Sequence, residues 1–151
     1  MTSAPPLRNL ARPPRAPLAT GAKAVIGLEV ILAVGALVGG ALLFFFPDGS
    51  GLGMPLSMLE HAGFRSFRIP GLTLFVVNGL FPLVSASATL RRLPWAALSV
   101  IAAGILLVGW ITVQVVLLRG FYAPLHGTYL LLGLVIAALG FSLHRTHSGA
   151  E

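Results

Sequence analysis

The sequence contains no cysteine, and it contains few charged residues. The lack of cysteine excludes disulfide bonds, thiolate metal ligands, cysteine nucleophiles and palmitoyl anchors. Charged residues make up 9% of the chain, against about 25% in a typical soluble domain. Hydrophobic residues make up 56%. A chain with this composition is predicted to lie in a membrane, where helices satisfy their own backbone hydrogen bonds.

Recognisable catalytic motifs are missing as well. The chain has no P-loop, no dinucleotide-binding fingerprint, no paired carboxylates and no serine in a nucleophile elbow. The histidines are expected at the membrane interfaces, with His61 and His126 on one side and His144 and His147 on the other, so that no transmembrane pair brackets a haem. We therefore expect a protein that is not an enzyme, with no catalytic residue, no cofactor and no metal.

Four long apolar segments are present, each long enough to cross a bilayer as a helix. They are predicted at about residues 24–46, 70–90, 95–118 and 126–143, so that residues 24–143 form one membrane domain. The short connections predict an all-α fold, a four-helix antiparallel bundle. Residues 1–22 hold five of the eleven prolines and three arginines and are predicted to be a disordered basic tail, with residues 144–151 as a second tail.

The longest connection, residues 47–69, contains a predicted short helix. Ser57 and Glu60 have the spacing of a capping box, Pro55 precedes them, and Gly63 follows as a stop signal. Neighbouring methionine and leucine residues give this segment an apolar side. We expect a helix of one or two turns that lies on the outer membrane surface or folds over the bundle as a lid.

The distribution of basic residues predicts the orientation of the chain. If the N-terminus is cytoplasmic, seven of the ten lysine and arginine residues lie inside and three lie outside. The inner set is Arg8, Arg12, Arg15, Lys23, Arg91, Arg92 and Arg145, and the outer set is Arg65, Arg68 and Arg119. This asymmetry predicts that both termini are cytoplasmic. The net charge of +6 is therefore a topology signal and does not indicate nucleic acid.

Three polar side chains lie inside predicted spans: Glu29 in the first, Asn78 in the second and Gln114 in the third. An ionised carboxylate that faces lipid costs at least a few kcal/mol, so Glu29 must be neutralised, paired with a basic residue of the same leaflet, or turned inward. If all three side chains face inward, they form a polar ladder through the bundle, the minimum for a proton or small-solute path. The alternative for each is a structural or partner-contact role.

Small residues at four-residue spacing predict where helices approach closely. These positions are Gly35 and Gly39 in the first segment, a pair extended by Gly40, and Gly133 and Ala137 in the fourth. In the second segment, Pro82 removes the hydrogen bond to the carbonyl of Asn78. It predicts a kink whose free carbonyl is satisfied by a neighbouring helix or by a ligand.

Three motifs resemble those of a group of small uncharacterised bacterial four-helix integral membrane proteins. They are the PDGSG turn at residues 47–51, the FxxFxIPGL segment at 64–72 and WIxVQ at 110–114. The resemblance covers residues 24–143 and implies a multi-pass protein of the bacterial inner membrane, without an assigned activity.

The surroundings of Glu29, residues 27–30, also resemble the small multidrug-resistance transporters, in which a glutamate of the first of four helices couples protons to cationic substrates. The loop at residues 47–69 is too long for that family, and the later segments lack its aromatic and glycine pattern.

The sequence therefore predicts a non-enzymatic multi-pass membrane protein, an accessory or assembly subunit. Its expected partners are the lipid bilayer and either a second copy or another integral membrane protein. The alternative is a small proton-linked transporter or channel that uses Glu29 with Asn78 and Gln114.

Overall fold

The computed structural model describes residues 17–120 and 123–148 and is built from helices. Four of these helices are long and apolar enough to cross a membrane. They are α1, Thr20–Phe45; α2, Arg68–Arg91; α3, Ala96–Leu117; and α4, Ala123–Ser148. None of the described residues lies in a β-strand, and the predicted all-α architecture of four spanning helices is confirmed.

The first and last spanning helices, α1 and α4, both extend beyond the spans predicted for them. α1 begins at Thr20, inside the segment predicted as a tail, and Pro17 is the last proline before it. α4 continues past Leu143 to Ser148, because the first helix-breaking residue beyond Leu143 is Gly149. The rest of the predicted basic tail, with Arg8, Arg12 and Arg15, lies outside the described residues, as do residues 121–122 and 149–151.

The second spanning helix is interrupted by a wider turn. Within α2, residues Leu74–Leu80 form a π-helical segment between two α-helical parts. Pro82 is buried just beyond it and has no N–H to bond the carbonyl of Asn78. The N–H of Phe81 bonds instead to a carbonyl five residues back. The backbone thus adapts to Pro82 through a π turn, a feature that often occurs at functional sites.

Glycines bring the helices together in two pairs. A Cβ at Gly40 in α1 would lie 2.7 Å from the carbonyl oxygen of Gly71 in α2. A Cβ at Gly104 in α3 would lie 2.5 Å from the carbonyl oxygen of Gly133 in α4. Side chains do not fit at such separations, so α1 contacts α2, and α3 contacts α4, through their backbones.

The predicted packing residues differ in how closely they approach a neighbour. Gly133 lies in the α3–α4 contact, and the Cβ of Ala137 would be 2.8 Å from a Cβ at Gly104. At Gly35 and Gly39, by contrast, an added Cβ would have its nearest neighbour at 4.0 and 3.6 Å. At these two glycines a Cβ would make ordinary van der Waals contacts, and Gly40 makes the close contact instead.

The loop between α1 and α2 folds back on the end of the bundle. Its predicted short helix is a single 3₁₀ turn, Leu56–Leu59, preceded by a second turn, Ser50–Leu52. The predicted capping box does not form, because the turn begins after Pro55 and no side chain caps its N–H groups. The loop is closed by a hydrogen bond from the N–H of Phe67 to the carbonyl of Pro47, at 2.8 Å.

The PDGSG motif forms the first turn of this loop. The Ser50 hydroxyl donates to Asp48 at 2.7 Å and the Ser50 N–H donates at 3.2 Å, and these bonds lower the pKa of Asp48. Gly49 has a φ of +85°, and a Cβ there would clash with the backbone of Met54. The motif therefore fixes a reversal that only glycine permits at its third position.

Candidate functional site

A cavity of about 660 Å³ lies between the four spanning helices. Small-molecule sites in proteins typically have volumes of about 300–1,000 Å³. On the α1 side, Gly35, Ala36 and Gly39 line the cavity, so the absence of larger side chains there creates part of its space. At one end the loop contributes Leu52 and Met54 to the lining. The loop thus folds over one end of the bundle, the lid arrangement that the sequence predicts as one alternative.

Polar side chains are few, and they come from three of the helices. Five polar or amphipathic residues line the cavity: Asn78, Trp110, Gln114, His126 and Tyr129. The remaining lining residues are apolar or glycine, and none of the lining residues is Asp, Glu, Lys or Arg. The site therefore offers hydrogen bonds without a fixed charge.

Two buried side-chain nitrogen atoms, on residues that line this cavity, lack hydrogen-bond partners among the described residues. Asn78 is 1% exposed, and its side-chain nitrogen Nδ2 has no hydrogen bond among the described residues. The indole nitrogen Nε1 of Trp110 is likewise buried and unbonded. Both groups are hydrogen-bond donors, and a buried donor without a partner costs about 1–3 kcal/mol.

His126, near the start of α4, is more enclosed than the sequence predicts. His126 is 5% exposed, whereas the interface prediction implies an accessible ring. The other histidines with described side chains, His61 and His144, are exposed. The difference arises because both the loop and α4 contribute to the same cavity, so a position near a helix end becomes part of the interior. The described residues contain no group of three or more potential metal ligands.

Glu29 forms a separate buried polar site. It is fully buried in α1, but it does not line the cavity. Ser85 of α2 lies beside its carboxyl, yet the Ser85 hydroxyl is hydrogen-bonded to the hydroxyl of Ser99 in α3, at 3.0 Å. Neither carboxyl oxygen of Glu29 has a hydrogen-bond partner within the described residues.

The inward orientation predicted as one alternative for Glu29 is therefore the one present. The other predicted alternative is that Glu29 pairs with Lys23, Arg91 or Arg92. Neither carboxyl oxygen of Glu29 accepts a hydrogen bond from any of these side chains.

The three residues of the predicted polar ladder are divided between two sites. Asn78 and Gln114 line the cavity, whereas Glu29 lies next to Ser85 outside it. In an uninterrupted α-helix, residues seven apart such as Asn78 and Ser85 lie nearly above one another. Asn78 lies within the π-helical segment, and Ser85 lies about 10 Å further along α2 in the α-helical part, so Asn78 and the Ser85 beside Glu29 are at different depths.

No protein family, no curated protein and no solved structure matches this chain. The resemblance to small bacterial four-helix membrane proteins therefore stays a prediction. The cavity and the two groups of buried polar side chains are the observations that bear on function.

Proposed function

We propose that this protein is a non-enzymatic, multi-pass membrane protein that binds a small lipid-soluble molecule in the cavity between its four helices. The observation that supports this function is the cavity of about 660 Å³, which all four spanning helices line mostly with apolar residues. Protein interiors are close-packed and rarely keep voids larger than a water molecule. This space opens to the surface at exposed lining residues such as Gly35 and Leu125, and a molecule that fills it would stabilise the folded state.

We place the protein in the inner membrane of a bacterium, with both termini in the cytoplasm. The asymmetry of the basic residues supports this orientation, which puts the lid and the adjacent cavity toward the outer side. Binding of a lipid-soluble molecule is compatible with the accessory role predicted from the sequence. The protein would hold such a molecule for a neighbouring membrane protein or for a second copy of itself.

Filling the cavity tests this function. Gly35→Leu places a larger side chain where the nearest atom to an added Cβ is 4.0 Å away, at the hydroxyl of Tyr129. We expect this protein to fold but to retain at least about tenfold less of the molecule that copurifies with the unaltered protein, a loss of about 1.4 kcal/mol in binding. Mass spectrometry of organic extracts, normalised to protein, measures this retention.

Gly27→Leu is the matched control, because Gly27 lies on the same helix, is exposed, and does not line the cavity. We expect it to retain the molecule. Equal retention by both variants would assign the molecule to the outer surface and contradict the proposed function.

The proton-linked transporter or channel is less well supported. It requires Glu29 to act together with Asn78 and Gln114, and Glu29 does not line the cavity that those two residues share. Its supporting observation is that a fully buried carboxyl has no partner.

A further inference from the structure

We infer that the ligand reaches the cavity sideways from the hydrocarbon interior of the bilayer, through a lateral gap between α1 and α4 that lies at Gly35 and is narrowed by Tyr129. This inference rests on the proposed function and adds the access route. The route also narrows the class of ligand to a neutral molecule that resides among the lipid chains and does not arrive through water.

The exposed lining residues indicate where the cavity opens. Among the described residues of the spanning helices, the exposed lining positions are Gly35 on α1 and Leu125 on α4, whereas the lining residues of α2 and α3 are buried or half-buried. Gly35 is the middle residue of the span predicted at 24–46, so about 16 Å of helix separates it from either end of that span. A hydrocarbon core is about 30 Å thick. The opening at Gly35 therefore faces lipid chains.

The side chain of Tyr129 narrows the lateral gap. The nearest atom to a Cβ added at Gly35 is the Tyr129 hydroxyl oxygen, the tip of that side chain, at 4.0 Å. The α1–α2 and α3–α4 pairs, by contrast, contact through their backbones at glycines, so whole helices must move before the bundle opens there. Side chains change rotamer in picoseconds to nanoseconds where they are exposed, and helices shift far more slowly. The bundle therefore opens most readily between α1 and α4.

A second set of exposed lining residues lies at the lid end of the cavity: Leu52, Met58 and Gly120. Entry there leads through the membrane surface. An apolar molecule that took this route would expose its hydrocarbon to water, at about 0.8 kcal/mol for each methylene group. Entry at Gly35 avoids that cost, so a lipid-soluble ligand follows the lateral gap.

The lining accepts neutral polar groups of either kind. Gln114 and Tyr129 are half-buried in the lining, and the side chain of each can both donate and accept a hydrogen bond. A carbonyl or a hydroxyl on the ligand is thus equally acceptable. No aspartate, glutamate, lysine or arginine lines the cavity, so an ionised group would find no counter-charge there, which is strongly unfavourable in an apolar site.

Two quenchers of tryptophan fluorescence distinguish the routes. An alkane that carries a nitroxide partitions into the bilayer interior, whereas acrylamide stays in water. The chain has two tryptophans, so a Trp95→Phe protein keeps only Trp110, which lines the cavity. This protein is washed in detergent until no copurifying molecule is detected and is reconstituted into phosphatidylcholine vesicles. We expect the nitroxide alkane to quench Trp110 and acrylamide to leave it unquenched.

A substitution that fills the lateral gap isolates the quenching that occurs inside the cavity. Nitroxides also quench from the lipid around the protein, so the difference between variants is the quantity to measure. In the Trp95→Phe background, Gly35→Leu is expected to lose most of the alkane quenching of Trp110. Gly27→Leu, at an exposed position of the same helix outside the lining, should keep it.

A substitution that widens the lateral gap gives the opposite result. Tyr129→Ala should increase the alkane quenching of Trp110 without adding acrylamide quenching, and Tyr129→Phe, which keeps the ring, should leave both unchanged. Leu131→Ala is the matched control, because Leu131 is exposed on α4 and does not line the cavity. Quenching in Tyr129→Ala equal to that in Leu131→Ala would show that Tyr129 does not narrow the gap.

Two results would overturn the lateral route. Acrylamide quenching of Trp110, with equal alkane quenching in Gly35→Leu and Gly27→Leu, would place the opening at the lid. Equal alkane quenching in these two variants without acrylamide quenching would mean that the gap is closed to the bilayer. Neither result contradicts the proposed function, which fails only if Gly35→Leu retains the copurifying molecule as well as Gly27→Leu does.

Discussion

Replacement of Gly104 by alanine is expected to lower the free energy of unfolding by about 1–3 kcal/mol, the usual range for overpacking. The added Cβ would lie 2.5 Å from both the backbone nitrogen of Ala137 and the carbonyl oxygen of Gly133. These are backbone atoms, so a side-chain rotation cannot relieve the contact and α4 must move away from α3. Chemical unfolding in detergent micelles, followed by circular dichroism, measures the loss.

Gly109→Ala provides the matched control on the same helix. A Cβ at Gly109 would meet no atom within 4 Å, and the residue is exposed. Alanine is favoured over glycine in a helix by up to about 1 kcal/mol, so this variant should be as stable as the unaltered protein or slightly more stable. A Gly104→Ala protein as stable as Gly109→Ala would disprove the close contact between α3 and α4.

Replacement of Glu29 by leucine is expected to raise the free energy of unfolding by about 1–3 kcal/mol, the penalty of a buried polar group without a partner. Leucine has a similar volume and needs no hydrogen bond. The direction is unusual, because most substitutions of a fully buried residue destabilise a protein. The same unfolding assay measures the gain. A loss of stability instead would mean that the folded protein depends on the carboxyl, for example through Ser85.

Substitution of Glu29 by glutamine distinguishes a structural role of this residue from a role in proton-linked transport. A proton-linked carrier should lose pH-dependent flux in proteoliposomes when the carboxyl becomes an amide, whereas a ligand-binding subunit should keep its copurifying molecule. Glu60→Gln, at an exposed position of the loop, is the control that removes a carboxylate without altering the interior. Unchanged flux in Glu29→Gln would exclude the carrier mechanism that depends on Glu29.

The four spanning helices could be predicted because length and composition alone determine whether a segment crosses a bilayer. The rotation of each helix about its own axis could not be predicted. Four-residue spacing identifies Gly35 and Gly39 as readily as any other pair, but the close contact of α1 is made by Gly40, opposite Gly71. A one-residue change in position rotates a contact by about 100° around a helix, and only the tertiary structure fixes that angle.

The candidate site could be predicted only in part, for related reasons. Asn78 and Gln114 are conspicuous as polar residues in apolar segments, and both line the cavity. The different depths of Glu29, Asn78 and Gln114 follow from their positions along the helices, whereas which side chains share a cavity depends on helix rotation, which the sequence does not specify. His126 and Tyr129 lie near the start of α4. Their place in the cavity lining depends on a loop that is distant in sequence.

The closest contacts between helices join neighbours along the chain, Gly40 with Gly71 and Gly104 with Gly133. During synthesis the first hairpin can therefore close before the third helix has left the ribosome. The cavity needs residues from both hairpins and can form only when the last helix arrives. A nascent or truncated copy would then lack the proposed binding cavity, which all four spanning helices are needed to form.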